Sequence, residues 1–368
     1  MKTVLILSNH HLYTYNLRKE VIQSLIEENY RVVIALPYGE KVELLKEMGC
    51  EFIDVPLDRR GTNPITDLRL FLEYNKILKE VKPDVVLTYT LKPNMYGGLA
   101  CRVNKTNVIH TVTGLGSVFV RNVSYKKIIV FLNRIAFRAA NMIAFMNSDN
   151  EYLYRDLKII SGDQKTMVVA GSGVNLDLFR YSTPHKTSKI KFTFIARVLK
   201  DKGIEEYLYA AKEIKKIYNN VEFEVVGFVD EEKYKKMLDE YEKMRLITYL
   251  GKRDDIPSIM ANSSCIVLPS YGEGRGTVLQ EGAAIGRPLI TCNTYGCKDN
   301  VDDGYNGFLC EVADPKSLVD VMEKFINLST EEKNLMGKRS REKAEKEFDR
   351  NIVVNSYLNE INKIVESG

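Results

Sequence analysis

Short runs rich in β-branched and aromatic residues alternate with amphipathic stretches along the whole chain, and near the middle the alternation starts over. No other feature constrains the fold as strongly. Parallel neighbouring strands need a crossover between them, usually a helix, so this alternation predicts parallel sheets covered by helices on both faces. In the first half, strands are expected at Thr3–Leu7, 31–35, 51–55, 85–88, 107–111, Met142–Phe145 and 166–169, with helices over 17–28, 42–48 and 68–81. The second series has strands at 191–195, 222–226, 247–250, 265–269 and 288–291, with a helix over 203–218.

A chain of 368 residues exceeds what one hydrophobic core usually organises. We therefore expect an α/β protein of two Rossmann-like, doubly wound domains, 1–176 and 187–349. The polar segment 177–188, which contains Pro184, reads as the linker. The end of the chain is helical and highly charged apart from an apolar stripe at Ile352, Val353, Tyr357, Leu358, Ile361 and Ile364. That stripe suits a helix, 350–368, packing back on the first domain. Doubly wound sheets bind ligands outside the carboxyl ends of their strands, so a substrate cleft between the domains is expected.

Several function classes are disfavoured. With 45% hydrophobic and 28% charged residues and a net charge of +4, nothing points to a nucleic-acid partner. The apolar run Val4-Leu5-Ile6-Leu7 is too short for a signal-peptide core and reads as a first strand. No stretch approaches the roughly 20 apolar residues of a membrane span. The six cysteines, at 50, 101, 265, 292, 297 and 310, form no C-x-x-C pair. They read as reduced thiols of a cytoplasmic protein, and no metal or cofactor is expected.

The densest chemical signal lies between Pro269 and Pro288. A buried strand runs into the glycine-rich turn Tyr271-Gly272-Glu273-Gly274-Arg275-Gly276, then into a helix opening near Thr277. Glycines there permit close backbone approach to a ligand. Free N–H groups at Thr277, Val278 and Leu279 would form an anion site suited to a diphosphate. Glu273 projects from the turn and Glu281 from within the helix, where its carboxylate can accept from vicinal hydroxyls such as a ribose.

Here the chain resembles the large retaining glycosyltransferase family of the GT-B fold (glycosyltransferase family 4), whose signature is two glutamates separated by seven residues. Glu273 and Glu281 match that pair, and Gly274 follows the first as the family pattern requires; Gly276 stands where many members have proline. The resemblance implies that Glu273 contacts the donor sugar and Glu281 the nucleotide ribose. A second match, Phe194-Ile195-Ala196-Arg197-Val198-Leu199-Lys200-Asp201-Lys202-Gly203, implies that Arg197 and Lys202 grip the donor diphosphate. Two cations at a strand end can stabilise the departing charge without a metal. The segment with Arg253 and Asp254 falls where the family holds the nucleobase; a turn followed by an N-capping aspartate explains it as well.

The first domain departs from the family pattern. His110 lies three residues before the position where many members carry a histidine near the donor sugar, and Thr113 stands there instead, ahead of Gly114-Leu115-Gly116. A donor-side role and a buried structural role for His110 are both open. The turn Ser8-Asn9-His10-His11 lacks the paired glycines many members use. Arg59-Arg60, Asn63-Pro64 and Lys92-Pro93-Asn94 are similar to bacterial transferases that extend polyprenyl-diphosphate-linked oligosaccharides, which implies that Arg59, Arg60 and Lys92 meet an acceptor diphosphate. Residues 121–141 mix Arg121, Lys126, Lys127, Arg134 and Arg138 with apolar side chains; such a helix either lies on an anionic lipid surface or packs on its own sheet.

Taken together, the resemblance implies a retaining, metal-independent transfer of a hexose or N-acetylhexosamine, with a nucleoside-diphosphate sugar (UDP favoured) as donor substrate. The acceptor is expected to be a saccharide on a polyprenyl diphosphate, and the setting cytoplasmic, at the inner face of the cell membrane. The alternatives are a sugar-nucleotide epimerase, a sugar phosphorylase, or a non-catalytic sugar-nucleotide-binding module. A dinucleotide oxidoreductase is disfavoured because no G-x-G-x-x-G follows the first strand.

Overall fold

The computed structural model describes residues 1–59, 61, 63–114, 126–183 and 189–367. Contacts divide the chain into two compact units, Met1–Ser172 with Asn351–Gly368, and Gly173–Arg350.

The first unit is built on a seven-stranded parallel sheet in the order β3-β2-β1-β4-β5-β6-β7. The strands are β1 (Thr3–Leu7), β2 (Arg31–Leu36), β3 (Glu51–Asp54), β4 (Val85–Tyr89), β5 (Val108–Val112), β6 (Met142–Phe145) and β7 (Thr166–Val168). The central strands β1, β4 and β5 are buried along their full length, as sheets covered on both faces require. Among the described residues its α-helices are, in chain order, α1 (His11–Glu27), α2 (Val42–Glu47), α3 (Pro64–Val81), α4 (Gly98–Asn104), α5 (Lys126–Phe137) and α6 (Ser148–Asp156). Helix α3 starts four residues before its expected onset because Asn63 caps it, Oδ1 accepting from the Ile65 N–H, with Pro64 at the first helical position.

The second unit holds a six-stranded parallel sheet in the order β10-β9-β8-β11-β12-β13. Its strands are β8 (Ile190–Ile195), β9 (Val221–Val226), β10 (Thr248–Tyr249), β11 (Cys265–Leu268), β12 (Leu289–Cys292) and β13 (Gly307–Cys310). Around it lie α7 (Ile204–Ile217), α8 (Glu232–Lys243), α9 (Ile256–Ala261), α10 (Thr277–Ile285), α11 (Pro315–Asn327) and α12 (Thr330–Lys343). Residues 177–183, read from sequence as linker, are packed into this unit. Phe179 is buried, the Ser182 N–H donates to Ile285 O at 3.1 Å, and the fully buried Arg287 donates back to Ser182 O at 2.8 Å.

The last helix, α13 (Arg350–Glu366), belongs with the first sheet. Its Val353, Val354, Tyr357, Leu358, Ile361, Ile364 and Val365 share one core with Val4, Ile6, Val21, Ile22 and Leu25. Polar contacts that fix its register include a Tyr357 Oη–Thr111 Oγ1 hydrogen bond of 2.8 Å and an ion pair between Glu360 and Lys165. Ile352, counted in the apolar stripe, instead points outward. All six cysteines are buried and unpaired by disulfides. No described helix is long and apolar enough to cross a membrane.

Candidate active site

In the second sheet, β8 is flanked by β9 on one side and β11 on the other, so the strand order reverses at the β8–β11 junction. Loops leaving such a junction diverge and open a crevice at the carboxyl ends. The loop after β8 carries Arg197 and Lys202; the loop after β11 carries Glu273 and leads into α10.

The two loops are fastened backbone to backbone. Asp201 O accepts from the Tyr271 N–H and from Ser270 Oγ, both at 3.0 Å. Gly203 makes this possible. It has φ +77, and a Cβ there would stand 2.0 Å from Pro269 O. Only a residue without a side chain satisfies both conditions. The seam brings the Lys202 ammonium into an ion pair with the Glu273 carboxylate, both groups largely shielded from solvent. Glu273 is held from behind as well, its N–H donating to Tyr295 O at 3.2 Å. Arg197 is half-buried and makes no ion pair or hydrogen bond with a described residue. Its loop is pinned by Ala196 N–H to Val226 O and Val198 N–H to Phe228 O.

Helix α10 opens on Gly276 in the left-handed conformation (φ +60). This geometry corrects one expectation. The Leu279 N–H donates to Gly276 O at 2.8 Å, and its side chain is fully buried, so Leu279 is a packing residue. Thr277 and Val278 keep N–H groups without an acceptor among the described residues, which leaves two donors at the positive end of the helix.

Glu281 lies one turn further on. It is half-buried and forms no hydrogen bond or ion pair with a described residue. Burial pushes its carboxyl pKa up to about 7, with the Arg350 cation pulling the other way. A shielded carboxyl without a protein donor has unmet hydrogen-bonding capacity.

Arg275 is not available in the same way. Its guanidinium is buried against Asp299 at 3.1 Å and lies over the Phe348 ring; burial lowers its pKa, Asp299 and Glu347 opposing. Its place in the glycine-rich turn suggests a donor contact, but the structure makes it an internal tie between two loops. Arg253 and Asp254 are exposed, and Arg253 forms a two-pronged pair with Asp255 at 2.8 Å. Asp255 therefore makes no side-chain cap to α9. No contact among the described residues joins Arg253 or Asp254 to the Glu273–Lys202 pair.

In the first unit, His110 and Asn94 turn inward. Thr88 Oγ1 donates to Asn94 Oδ1 at 2.6 Å, and Asn94 Nδ2 donates to Thr111 O at 2.8 Å. With its single proton spent, Thr88 must accept from His110 Nδ1, 2.6 Å away. The His110 ring is fully buried and stacked on Phe137 at 4.4 Å, and burial holds its pKa down to about 4. Burial of the ring supports the structural one of the two readings of His110, although its Nε2 keeps no partner among the described residues, and Asn94, read from sequence beside Lys92 as an acceptor-side candidate, spends its amide inside the fold. Lys92 is nearly buried and paired with Asp67 at 2.6 Å, which also accepts from Tyr96 Oη at 2.8 Å. Arg59 is exposed over the Tyr13 ring. Thr113 and Gly114 are half-buried just beyond β5. Arg60, Leu115, Gly116 and Arg121 lie outside the described residues.

Thr90 is a candidate that the sequence pattern does not mark, and Asn9 one that it marks only weakly. They extend β4 and β1 side by side, since Leu7 pairs with Thr88. Asn9 Oδ1 and Thr90 Oγ1 are both buried without a partner among the described residues, and Thr90 has φ +75. A non-glycine residue in that conformation is a signal that only the backbone reveals.

Among the described residues no group of three His, Cys, Asp or Glu is placed to hold a metal ion. Two doubly wound parallel-sheet α/β units are the architecture of the GT-B fold, shared with solved glycosyltransferases. Family models agree over most of the chain, matching Glycosyl transferases group 1 at residues 177–343 and Glycosyl transferase 4-like at residues 3–147. The chain belongs to this glycosyltransferase family.

Particular relatives follow the same line. The chain is 26% identical over 372 residues, 96% of each chain, to the N,N'-diacetylbacillosaminyl-diphospho-undecaprenol alpha-1,3-N-acetylgalactosaminyltransferase of Campylobacter jejuni. It is 29% identical over 310 residues, 78% of each chain, to the UDP-Gal:alpha-D-GlcNAc-diphosphoundecaprenol alpha-1,3-galactosyltransferase of Escherichia coli. Among solved structures, a Rickettsia africae glycosyltransferase superposes with a TM-score of 0.82 at 18% identity, covering 100% of this chain and 99% of that one. Anabaena HepE in complex with UDP gives 0.80 at 18% identity, with coverage of 99% and 100%.

Proposed function

We propose that this glycosyltransferase moves a hexose or N-acetylhexosamine from UDP to a saccharide carried on a polyprenyl diphosphate, with retention at the anomeric carbon, in bacterial surface polysaccharide or glycan assembly. It would work without a metal, peripherally, at the inner face of the cell membrane. The observation that carries the donor half is the Lys202–Glu273 pair at the β8–β11 junction, beside a helix terminus whose Thr277 and Val278 N–H groups have no acceptor among the described residues. The acceptor half is supported by the undecaprenol-linked substrates in the names of the C. jejuni and E. coli relatives.

In this reading the diphosphate takes the Thr277 and Val278 N–H groups and the charges of Lys202 and Arg197, while Glu281 accepts from the ribose hydroxyls. Glu273, held by Lys202, accepts from a sugar hydroxyl. The bond between the anomeric carbon and the diphosphate oxygen breaks, and its electrons leave with the diphosphate. The acceptor hydroxyl oxygen bonds to the same carbon on the same face, and its proton passes to a donor phosphate oxygen. Preorganised cations favour the developing charge without reorganisation at the moment of transfer.

The test is a panel of UDP- and GDP-sugars, with nucleoside diphosphate release measured with and without polyprenyl-diphosphate saccharides, and product anomers read by NMR. Release that needs no lipid-linked acceptor, or a product of inverted configuration, would overturn the corresponding half.

A further inference from the structure

The buried face of α1 has a cation in it. Thr14, Arg18, Val21, Ile22 and Leu25 recur at helical spacing, and all are shielded from solvent. Arg18 keeps 4% of its surface, and its guanidinium lies over the Tyr89 ring, 4.6 Å from the centroid. It makes no hydrogen bond or ion pair with a described residue, and its Nη1 is buried. Arg287 shows what a structural arginine of this chain does instead. Fully buried, it donates to Met260 O, Ala261 O, Gly286 O and Ser182 O at 2.7–3.1 Å. A ring face offsets part of the cost of burying a guanidinium, but it leaves the N–H donors of Arg18 without acceptors.

Hydroxyls, not carboxylates, surround it. Tyr89 ends β4 beside Thr111 of β5, whose hydroxyl meets Tyr357 of α13. The Tyr89 hydroxyl is buried without a partner among the described residues. Burial raises the pKa of both Tyr89 and Tyr357, and the Arg18 charge pulls each the other way. Thr90, the next residue, has φ +75 and a buried hydroxyl that is likewise unpartnered among the described residues. These groups stand at the carboxyl edge where the first sheet reverses, β1 being flanked by β2 and β4, which is where doubly wound sheets take ligands. Residues 1–19 contain no Asp or Glu, and Glu20, two positions after Arg18, leaves α1 on another side.

We infer that Arg18, with the Tyr89 hydroxyl, recognises the phosphoryl group through which the acceptor saccharide is joined to its carrier. A guanidinium fork matches two phosphate oxygens, and charge-assisted bonds of this kind are the strong ones. The inference deepens the acceptor half of the function proposed above and rests on it for the choice of a phosphoryl group over another anion. It also moves that recognition inward. Lys92, whose sequence context suggests the same task, is already neutralised by Asp67, and Arg59 is exposed over Tyr13. A shielded cation responds strongly to a charge brought against it, because little solvent screens the pair. Arg18 therefore sets the selectivity between charged and neutral acceptors.

Transfer by the full chain is measured on two soluble acceptors of one saccharide, the first linked through diphosphate to a short isoprenoid, the second a neutral alkyl glycoside. Arg18→Met keeps most of the volume and removes the charge. The preference in kcat/KM for the diphosphate acceptor should fall at least about thirtyfold, the scale of a lost hydrogen bond to a charged group. Arg18→Lys, which keeps the charge without the fork, should fall in between. Tyr89→Phe removes an unpartnered hydroxyl, so it should melt like the wild type and lower the preference severalfold. Lys19→Gln removes the next charge along α1, which lies over the Tyr15 ring, and should leave the preference intact. Because the buried charge has no counter-charge in the free protein, Arg18→Met should melt no lower than the wild type. A lower melting temperature with equal losses on both acceptors would make Arg18 structural and overturn the proposal. So would a preference unchanged in Arg18→Met or, should that variant not fold, in Tyr89→Phe. Calorimetric titration with inorganic pyrophosphate, UDP being held at saturation, should show binding that weakens at least about tenfold in Arg18→Met. Such binding without transfer to any diphosphate-linked acceptor would sink the functional reading and leave the site standing. Transfer whose preference is indifferent to Arg18, with pyrophosphate binding equally indifferent, would do the reverse.

Discussion

Consider replacing Glu281 with glutamine, which keeps the shape and removes the charge. Burial raises this carboxyl from its ordinary 4.5 to about 7. The folded protein therefore holds a proton that the unfolded chain has released across that interval. Stability tied to this group is complete below pH 4.5 and is lost as pH rises through 7. The interval corresponds to about 3 kcal/mol at about 1.4 kcal/mol per pH unit, and partial solvent access trims this to about 2. The glutamine variant should melt like the wild type near pH 4.5. At pH 8.5 it should melt higher by several degrees, at about 2–4 °C per kcal/mol for a unit of this size. Donor binding should move the opposite way. A ribose diol donates to the ionised carboxylate, so the wild-type donor KM should fall as pH rises through about 7. The variant, with one acceptor oxygen left, should show a higher and pH-independent donor KM with kcat less affected, the mark of a contact present in both ground and transition states. Calorimetry at the two pH values and donor titrations at each decide it. Equal melting shifts at pH 4.5 and 8.5, or a wild-type KM flat with pH, would refute the reasoning.

Lys202→Ala or Arg197→Ala should lower kcat by at least about a hundredfold, the scale of a lost preorganised charge contact; steady-state rates within a fewfold of wild type would reduce both to loop residues. Chelating agents should leave initial rates essentially intact, and a rate abolished by chelation and restored by a divalent cation would reject metal-free transfer. Gly203→Ala faces both a left-handed φ and a contact of 2.0 Å with Pro269 O; it should open the seam between the loops and lower both melting temperature and kcat, and a fully active, equally stable variant would contradict the close approach. His110, with its pKa depressed to about 4, binds its proton more readily when unfolded, so its stabilising effect is present above pH 6.5 and lost as pH falls towards 4. His110→Gln should flatten that acid limb in denaturant unfolding, and an unchanged limb would show that other groups cause it.

The layout of both sheets was legible because strands covered on two faces carry continuous apolar runs; Val4 to Leu7 is fully buried, and its sequence already excluded a surface element. Strand β13 escaped notice because Gly307-Phe308-Leu309-Cys310 is short and lacks β-branched residues. The loops of the candidate site were placed for a similar reason. Once β8 and β11 are recognised as strands of a doubly wound sheet, the loops that follow them are led to the same edge, although Lys202 and Glu273 are 71 positions apart. Periodicity reports where an element lies, and topology then reports which of its ends meet.

What periodicity cannot report is whether a polar side chain near a strand's carboxyl end faces a ligand or a partner elsewhere in the fold. His110, Asn94, Lys92 and Arg275 have the residue types of a binding site. Each instead makes a hydrogen bond or ion pair inside the fold: to Thr88 and Thr111 for the first two, Asp67 for Lys92, and Asp299 for Arg275, while His110 Nε2 stays buried without a partner among the described residues. Glu281 shows the converse. Its type and position are no more distinctive than those of Asn94, yet no described residue hydrogen-bonds its carboxyl, and burial is what raises its pKa against the pull of the Arg350 cation. Desolvation of that kind is tolerated where a ligand supplies the missing donors, since removing the group outright would cost the protein nothing in stability above pH 7. What separates Asn94 and Lys92 from Glu281 is therefore satisfied against unsatisfied hydrogen-bonding capacity, a property of atom pairs brought together by the fold and absent from any linear pattern.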